Sequence, residues 1–136
     1  MDSAAKIKDF LAAGPYAVVG ASTVREKYGN KVLRTYLQRG LEVYAVHPRE
    51  KVIEGLDTVP DIESLPDDVR GLSIITPPAI TEKLVLEAAE KGIKRLWMQP
   101  GAESDKAIAD AEALGLTVIS GGPCLLVALG FRERVA

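Results

Sequence analysis

The sequence is short of the residues that most often signal cross-linking, metal binding or nucleophilic catalysis. Its 136 residues include one cysteine and one histidine. Cys124 alone forms no intrachain disulfide and no thiolate metal cluster, and it fits a reducing compartment, where thiols stay free. His47 has no neighbouring His, Asp or Glu at metal-ligand spacing and no serine or cysteine to activate. No run of Lys or Arg exceeds two residues, and 17 basic against 19 acidic side chains leave a formal charge of −2. Binding to the phosphate backbone of duplex nucleic acid needs a net basic face, so that partner class is disfavoured. Long apolar runs are also absent. The longest, Cys124 to Leu129, is far below the ~20 residues that span a bilayer, and Met1-Asp2-Ser3 does not open a signal peptide. A soluble, untargeted, cytoplasmic protein is expected, with no nucleic acid or membrane as partner.

What is present is an ordinary globular composition, 47% apolar, on a length that predicts one domain over 1–136. Strand and helix patterns alternate. A helix follows an Asp2 or Ser3 cap and stops at Gly14-Pro15; Tyr16 to Val19 is a continuous apolar strand of the kind found in sheets covered on both faces. An Asn30 cap predicts a helix to Gly40, then a strand over Leu41 to Val46. The stretch from Pro48 to Pro66 shows little periodicity beyond a helical turn near Ile62. Gly71 to Thr76, Ile93 to Met98 and Leu116 to Ile119 read as strands, with helices from Pro77-Pro78 to Gly92 and from Glu103 to Leu114. This order predicts an α/β fold with one parallel sheet of about five strands. Ligands of such sheets bind beyond the carboxyl ends of the strands.

Three groups of turns lie there. The first, Gly20-Ala21-Ser22 through Arg25, Lys27 and Asn30, joins a strand to a helix as a phosphate-binding turn does. It breaks the dinucleotide pattern Gly-x-Gly-x-x-Gly, with Ser22 and Arg25 where the second and third glycines belong. The second, His47-Pro48-Arg49-Glu50-Lys51, leads with basic residues where NAD enzymes place an acid. That suits an adenosine bearing an extra phosphate, on the 2′ position in NADP or the 3′ position in coenzyme A; a solvated surface turn accounts for the same charges. The third group, Thr76-Pro77-Pro78 and Gln99-Pro100-Gly101, supplies rigid apolar walls suited to adenine or a pantetheine arm. Trp97 reads as core.

Gly20-Ala21-Ser22, Lys27-Tyr28-Gly29-Asn30, His47-Pro48, Ile53-Glu54-Gly55, Thr76-Pro77-Pro78, Trp97-Met98-Gln99-Pro100-Gly101 and Gly122-Pro123-Cys124 occur in that order. In these motifs the chain resembles the small bacterial and archaeal CoA-binding proteins, themselves similar to the N-terminal CoA-binding domain of the succinyl-CoA synthetase alpha subunit. The resemblance implies a three-layer Rossmann-like fold holding coenzyme A. It places Gly20, Ala21, Ser22 and the stretch from Lys27 to Asn30 around phosphates. Pro48 and Arg49 fall at the adenosine end, Thr76, Pro77 and Pro78 beside the nucleotide, and Gln99 to Gly101 near the pantetheine. Where the family commonly has Asn, this chain has His47.

The phosphoryl-carrying histidine of the synthetase lies in a second domain, and this sequence contains no counterpart of it. The expected function is therefore binding of coenzyme A or an acyl-CoA without catalysis by the chain alone. The alternatives are an NADP-binding oxidoreductase and an interaction subunit of an acyl-CoA ligase system with a vestigial pocket. Cys124, past the fifth expected strand, lies on the ligand side, either as a small buried hydrophobe or as a thiol within reach of the CoA thiol.

Overall fold

In the computed structural model, which describes residues 1–133, helix α1 (Ser3–Leu11) starts as expected. The Asp2 carboxylate accepts from Ala5 N at 2.8 Å. Strands β1 (Tyr16–Val19), β2 (Val43–Val46), β3 (Val52–Ile53), β4 (Leu56–Val59), β5 (Gly71–Ile74), β6 (Arg95–Met98) and β7 (Thr117–Ile119) form one sheet. Their order is β3-β4-β2-β1-β5-β6-β7. Helices α2 (Tyr28–Gln38), α3 (Pro78–Lys91), α4 (Asp105–Ala113) and α5 (Leu125–Leu129) complete the described elements. Leaving aside β3, which pairs antiparallel with β4, the parallel strands run in the 3-2-1-4-5-6 order of a Rossmann-like sheet.

The core divides by strand parity, because successive side chains leave a strand on opposite faces. Ala17, Val19, Leu72, Ile74, Leu96 and Met98 meet α3 and α4 on one face; Tyr16, Val18, Ala45, Trp97 and Ile119 meet α1, α2 and α5 on the other. Trp97 is wholly buried, as expected, and donates through Nε1 to Pro123 O at 3.0 Å, fixing the segment before Cys124. The five expected parallel strands are present, and β4 adds a sixth.

The stretch that shows little periodicity is a β-hairpin. Two residues, Glu54 (φ 49) and Gly55 (φ 80), connect β3 to β4, and both central residues with positive φ make this the mirror-image turn that matches strand twist. Glu-Gly is not a usual sequence for that turn, and β3 is only two residues long, so periodicity had nothing to detect. Helix α5 is likewise too short for a periodic signal.

The expected Asn30 cap is also corrected. Helix α2 begins at Tyr28, with Lys27 in the cap position and no side chain capping the end. Asn30 lies inside the helix and spends its side chain on the preceding turn instead.

Candidate functional site

β1 and β5, the neighbours at which the strand order reverses, remain paired as far as Ile75 N on Val19 O (2.8 Å). The sheet edge opens just beyond, at Gly20 and Thr76. Gly20 turns away from β1 at φ 99, where a Cβ would stand 1.9 Å from Ile75 O. Gly29, in the first turn of α2, packs against it: a Cβ there would meet Gly20 O at 2.0 Å. Gly29 thus performs the helix-to-strand packing of the third glycine in the dinucleotide pattern. The turn is lengthened, so the glycine is displaced rather than lost.

A polar bracket shapes this longer turn. Asn30 Nδ2 donates to Ser22 O (2.9 Å) and to Glu54 Oε2 (3.0 Å). Arg34 Nε donates to Asn30 Oδ1 (2.7 Å) and its Nη2 to Arg25 O (2.9 Å). Arg25 reaches Glu54 Oε1 at 3.0 Å. Arg34 is 1% exposed, a costly place for a cation; Phe131, its ring 5.0 Å away, and Glu133 at 3.6 Å stand over it. The hairpin tip holds Glu54 in a backbone region that non-glycine residues seldom adopt, and its carboxylate ties the hairpin to the turn. The sequence singled out Glu54 only within the Ile53-Glu54-Gly55 motif and assigned no role to it or to Arg34, because their shared contacts join segments far apart in the chain.

His47 has a comparable local task. Its Nδ1 accepts from Arg49 N (3.0 Å) and Glu50 N (2.9 Å). The Nδ1 of histidine and the Oδ1 of asparagine lie the same number of bonds from Cβ. His47 therefore closes the turn in the way an asparagine side chain closes an Asx turn, and the departure at this position preserves the geometry.

Three clefts follow one another along this edge. One of about 380 Å³ is bounded by Gly20, Ala21, Val46, His47, Pro48, Ile62, Thr76, Ile80 and Leu84, with Asp61 and Glu87 at its rim. Asp61 is occupied locally: hydrogen bonds from Ser64 hold its carboxyl below the usual range. The next, about 360 Å³, is bounded by Gly20, Ala21, Ser22, Lys27, Tyr28, Gly29 and His47 at the start of α2. The last, about 610 Å³, lies among Tyr28, Ile75, Thr76, Pro77, Pro100, Gly101, Ala102 and Cys124. Gly20, Ala21 and His47 are shared by the first two, and Tyr28 and Ile75 by the second and third.

The expected site residues thus separate into groups. Gly20, Ala21, Ser22, Lys27, His47, Pro48, Thr76, Pro77 and Gly101 meet along this track. Arg49 borders an adjoining hollow of about 420 Å³ with His47, Pro48 and Lys51. Arg25, Asn30, Pro78 and Gln99 do not line these clefts; Arg25 and Asn30 build the bracket, and Pro78 is the first residue of α3. Gln99 is wholly buried behind Tyr28, its Oε1 accepting from Tyr28 Oη (3.1 Å) and Leu125 N (3.0 Å). Tyr28, which the sequence placed only within a phosphate stretch, joins the last two clefts. Burial, followed by its contact with Cys124, raises the Tyr28 hydroxyl above its ordinary value. Among the described residues, no cluster of His, Cys, Asp and Glu is arranged for a metal ion, and no helix is long and apolar enough to cross a membrane.

The strand order and the clefts at its reversal point define a Rossmann-like α/β protein with a row of adjoining clefts along its carboxyl edge. More particularly, the chain belongs to the CoA binding domain family, whose model matches residues 15–130. It is similar to the ADP-forming acetate–CoA ligase II of Archaeoglobus fulgidus, 32% identical over 108 residues, which are 78% of this chain and 16% of that protein. It is also similar to the alpha subunit of ADP-forming acetate–CoA ligase II of Pyrococcus furiosus, 30% identical over 79 residues, covering 57% of this chain and 17% of that one. The chain therefore corresponds to only about one-sixth of these curated relatives. Among solved structures, the conserved hypothetical protein Pfu-723267-001 from Pyrococcus furiosus superimposes with a TM-score of 0.79 at 39% identity, over 83% of this chain and 97% of that one. The dinucleotide-forming acetyl-coenzyme A synthetase 1 of Ca. Korarchaeum cryptofilum, solved with phosphate and ADP, does so with a TM-score of 0.71 at 26% identity, over 80% and 26%.

Proposed function

We propose that this protein binds coenzyme A or an acyl-CoA in an extended pose along the carboxyl edge of its sheet. The observation that carries the reading is the continuity of the three clefts, with the uncapped start of α2 at the middle one. Free N–H groups and the positive end of the helix dipole favour phosphate there, and Lys27 adds a full charge. The apolar cleft near Pro48, Ile62 and Ile80 suits adenine; Arg49 lies on its outer side for the 3′-phosphate. The cleft running to Gly101 and Cys124 suits the pantetheine arm. The site residues proposed are therefore Gly20, Ala21, Ser22, Lys27, Tyr28, Pro48, Arg49, Thr76, Pro77 and Gly101.

The ligase relatives favour a role beside an acyl-CoA ligase, with this chain as a CoA-holding component acting with a protein partner in the cytoplasm and performing no chemistry alone. A thermal-shift panel of CoA, acetyl-CoA, NADP and ATP tests the reading. A ligand at 100 times its dissociation constant stabilises by ~2.7 kcal/mol. Stabilisation by CoA or acetyl-CoA in preference to NADP and ATP is expected. A preference for NADP would favour the oxidoreductase reading, and no response to any ligand would favour a vestigial pocket.

A further inference from the structure

We propose that His47 is a further binding residue, donating from Nε2 to the 5′-diphosphate of coenzyme A where the middle cleft meets the start of α2. The inference deepens the reading that CoA lies along this edge, and rests on it.

The two ring nitrogens have separate tasks. Nδ1 accepts from Arg49 N at 3.0 Å and from Glu50 N at 2.9 Å. A ring nitrogen that accepts hydrogen bonds carries no hydrogen of its own, so the imidazole hydrogen resides on Nε2. The turn thereby fixes both the tautomer and the rotation of the ring. Among the described residues no acceptor meets Nε2, which is left as a donor facing away from the turn.

The strand sets the direction in which the ring leaves the sheet. His47 N donates to Val59 O at 3.0 Å, so the ladder between β2 and β4 continues one residue beyond Val46. Alternation along β2 puts Val43 and Ala45 on the α2 face, and Tyr44 and Val46 on the opposite one. His47 follows on the α2 face. It lines the cleft of about 360 Å³ there, together with Ser22, Lys27, Tyr28 and Gly29.

That cleft is built for an anion. Among the described residues that bound it, none is acidic. The start of α2, which no side chain caps, the Lys27 ammonium and the His47 Nε2–H border it together, and converging donors of this kind suit a group with several charged oxygens. His47 also borders the apolar cleft suited to adenine. The group it meets is therefore the one that joins adenosine to the rest of the ligand, which in CoA is the 5′-diphosphate. His47 touches the outer hollow beside Arg49 as well, but the ring edge nearest Arg49 and Glu50 is Nδ1, which the turn already occupies.

Asparagine at this position separates the two tasks. Its Oδ1 closes the turn as Nδ1 does, whereas its amide nitrogen lies two bonds from Cβ and Nε2 lies three. His47→Asn thus keeps the turn and withdraws the donor.

The test is a calorimetric cycle of wild type and His47→Asn against CoA and dephospho-CoA. The expected result is an unchanged unfolding midpoint without ligand and an equal loss of affinity for both ligands, about tenfold, as for a hydrogen bond to a charged group. A loss with CoA that vanishes with dephospho-CoA would assign the ring to the 3′-phosphate and overturn the proposal, as would full affinity for both. A second measurement needs no variant. The chain has one histidine, so untagged protein carrying nitrogen-15 histidine gives a single pair of ring signals. They should place the hydrogen on Nε2 in the free protein, and CoA and dephospho-CoA should each move the Nε2 signal while Nδ1 stays an acceptor. The opposite tautomer, or ring signals unmoved at saturation, would overturn the assignment. Wild-type binding that His47→Asn leaves intact refutes this role alone; no wild-type binding of CoA refutes the groove reading and this role with it.

Discussion

Gly29 has no room for a side chain, since a Cβ would stand 2.0 Å from the backbone of Gly20. Backbone cannot yield as the end of a flexible side chain can. Gly29→Ala is therefore expected to destabilise the protein by about 1–3 kcal/mol, the usual cost of overpacking, and to weaken CoA binding by pushing α2 away from β1. Urea unfolding measures the first effect; a loss below about 0.5 kcal/mol, within the range of neutral surface changes, would contradict the packing role. Arg49 offers a contrasting case, in which binding should change and folding should not. If its guanidinium reads the 3′-phosphate bidentately, CoA should bind more tightly than dephospho-CoA by about 10- to 150-fold, the ratio for a charged hydrogen bond of ~1.5–3 kcal/mol. Arg49→Ala should remove most of that difference in titration calorimetry. Equal affinities of the wild type for both ligands would move the phosphate elsewhere.

The β3–β4 hairpin is the element that most changes the account of the site. It replaces the crossover helix between β2 and β4, and its tip carries Glu54, the carboxylate shared by Arg25 and Asn30. Holding a non-glycine residue at φ 49 costs free energy, so Glu54→Gly relieves the backbone while severing the bracket. Stability should change by less than about 1 kcal/mol, while CoA affinity falls severalfold because the turn from Ser22 to Lys27 loses its anchor. Unchanged affinity in calorimetry would show that the turn holds its shape without Glu54. The elements also show how much the sequence disclosed. The central strands β1, β2, β5, β6 and β7 were legible because burial on both faces leaves continuous apolar runs such as Tyr16 to Val19. So were helix ends marked by Asp2, Pro78 and Gly92. Of the site, the glycine and proline turns were legible; the bracket was not, because Asn30, Arg34 and Glu54 come together only in three dimensions. Arg25, the most prominent cation of the first turn, pairs with a carboxylate that sequence alone could not place beside it.

Across the whole molecule, the aromatic core ties stability to alkaline pH. Tyr36 is fully buried, with Oη 2.6 Å from Ser73 Oγ, and desolvation raises its phenol above the ordinary 10.0, as it does those of Tyr16 and Tyr28. Below about pH 10 both folded and unfolded chains hold these protons, so this contribution is constant. Above it the unfolded chain ionises first and binds fewer protons than the native state, and stability declines as pH rises. Urea midpoints should fall steeply from about pH 10 upward, less so in Tyr36→Phe. A midpoint that stays level through that range would contradict the burial of these phenols.

The central claim is that one ligand, coenzyme A, lies along the continuous groove at the carboxyl edge of the sheet. Amide chemical-shift mapping of the isotope-labelled protein during a CoA titration tests it most directly. The predicted result is saturable shifts at Gly20 to Gly29, His47 to Arg49, Ile75 and Thr76, and Gly101 and Cys124. The amino edge near Asp9, Lys94 and Arg95 should remain unmoved. Shifts confined to that opposite edge, or no saturable shifts at all, would contradict the account.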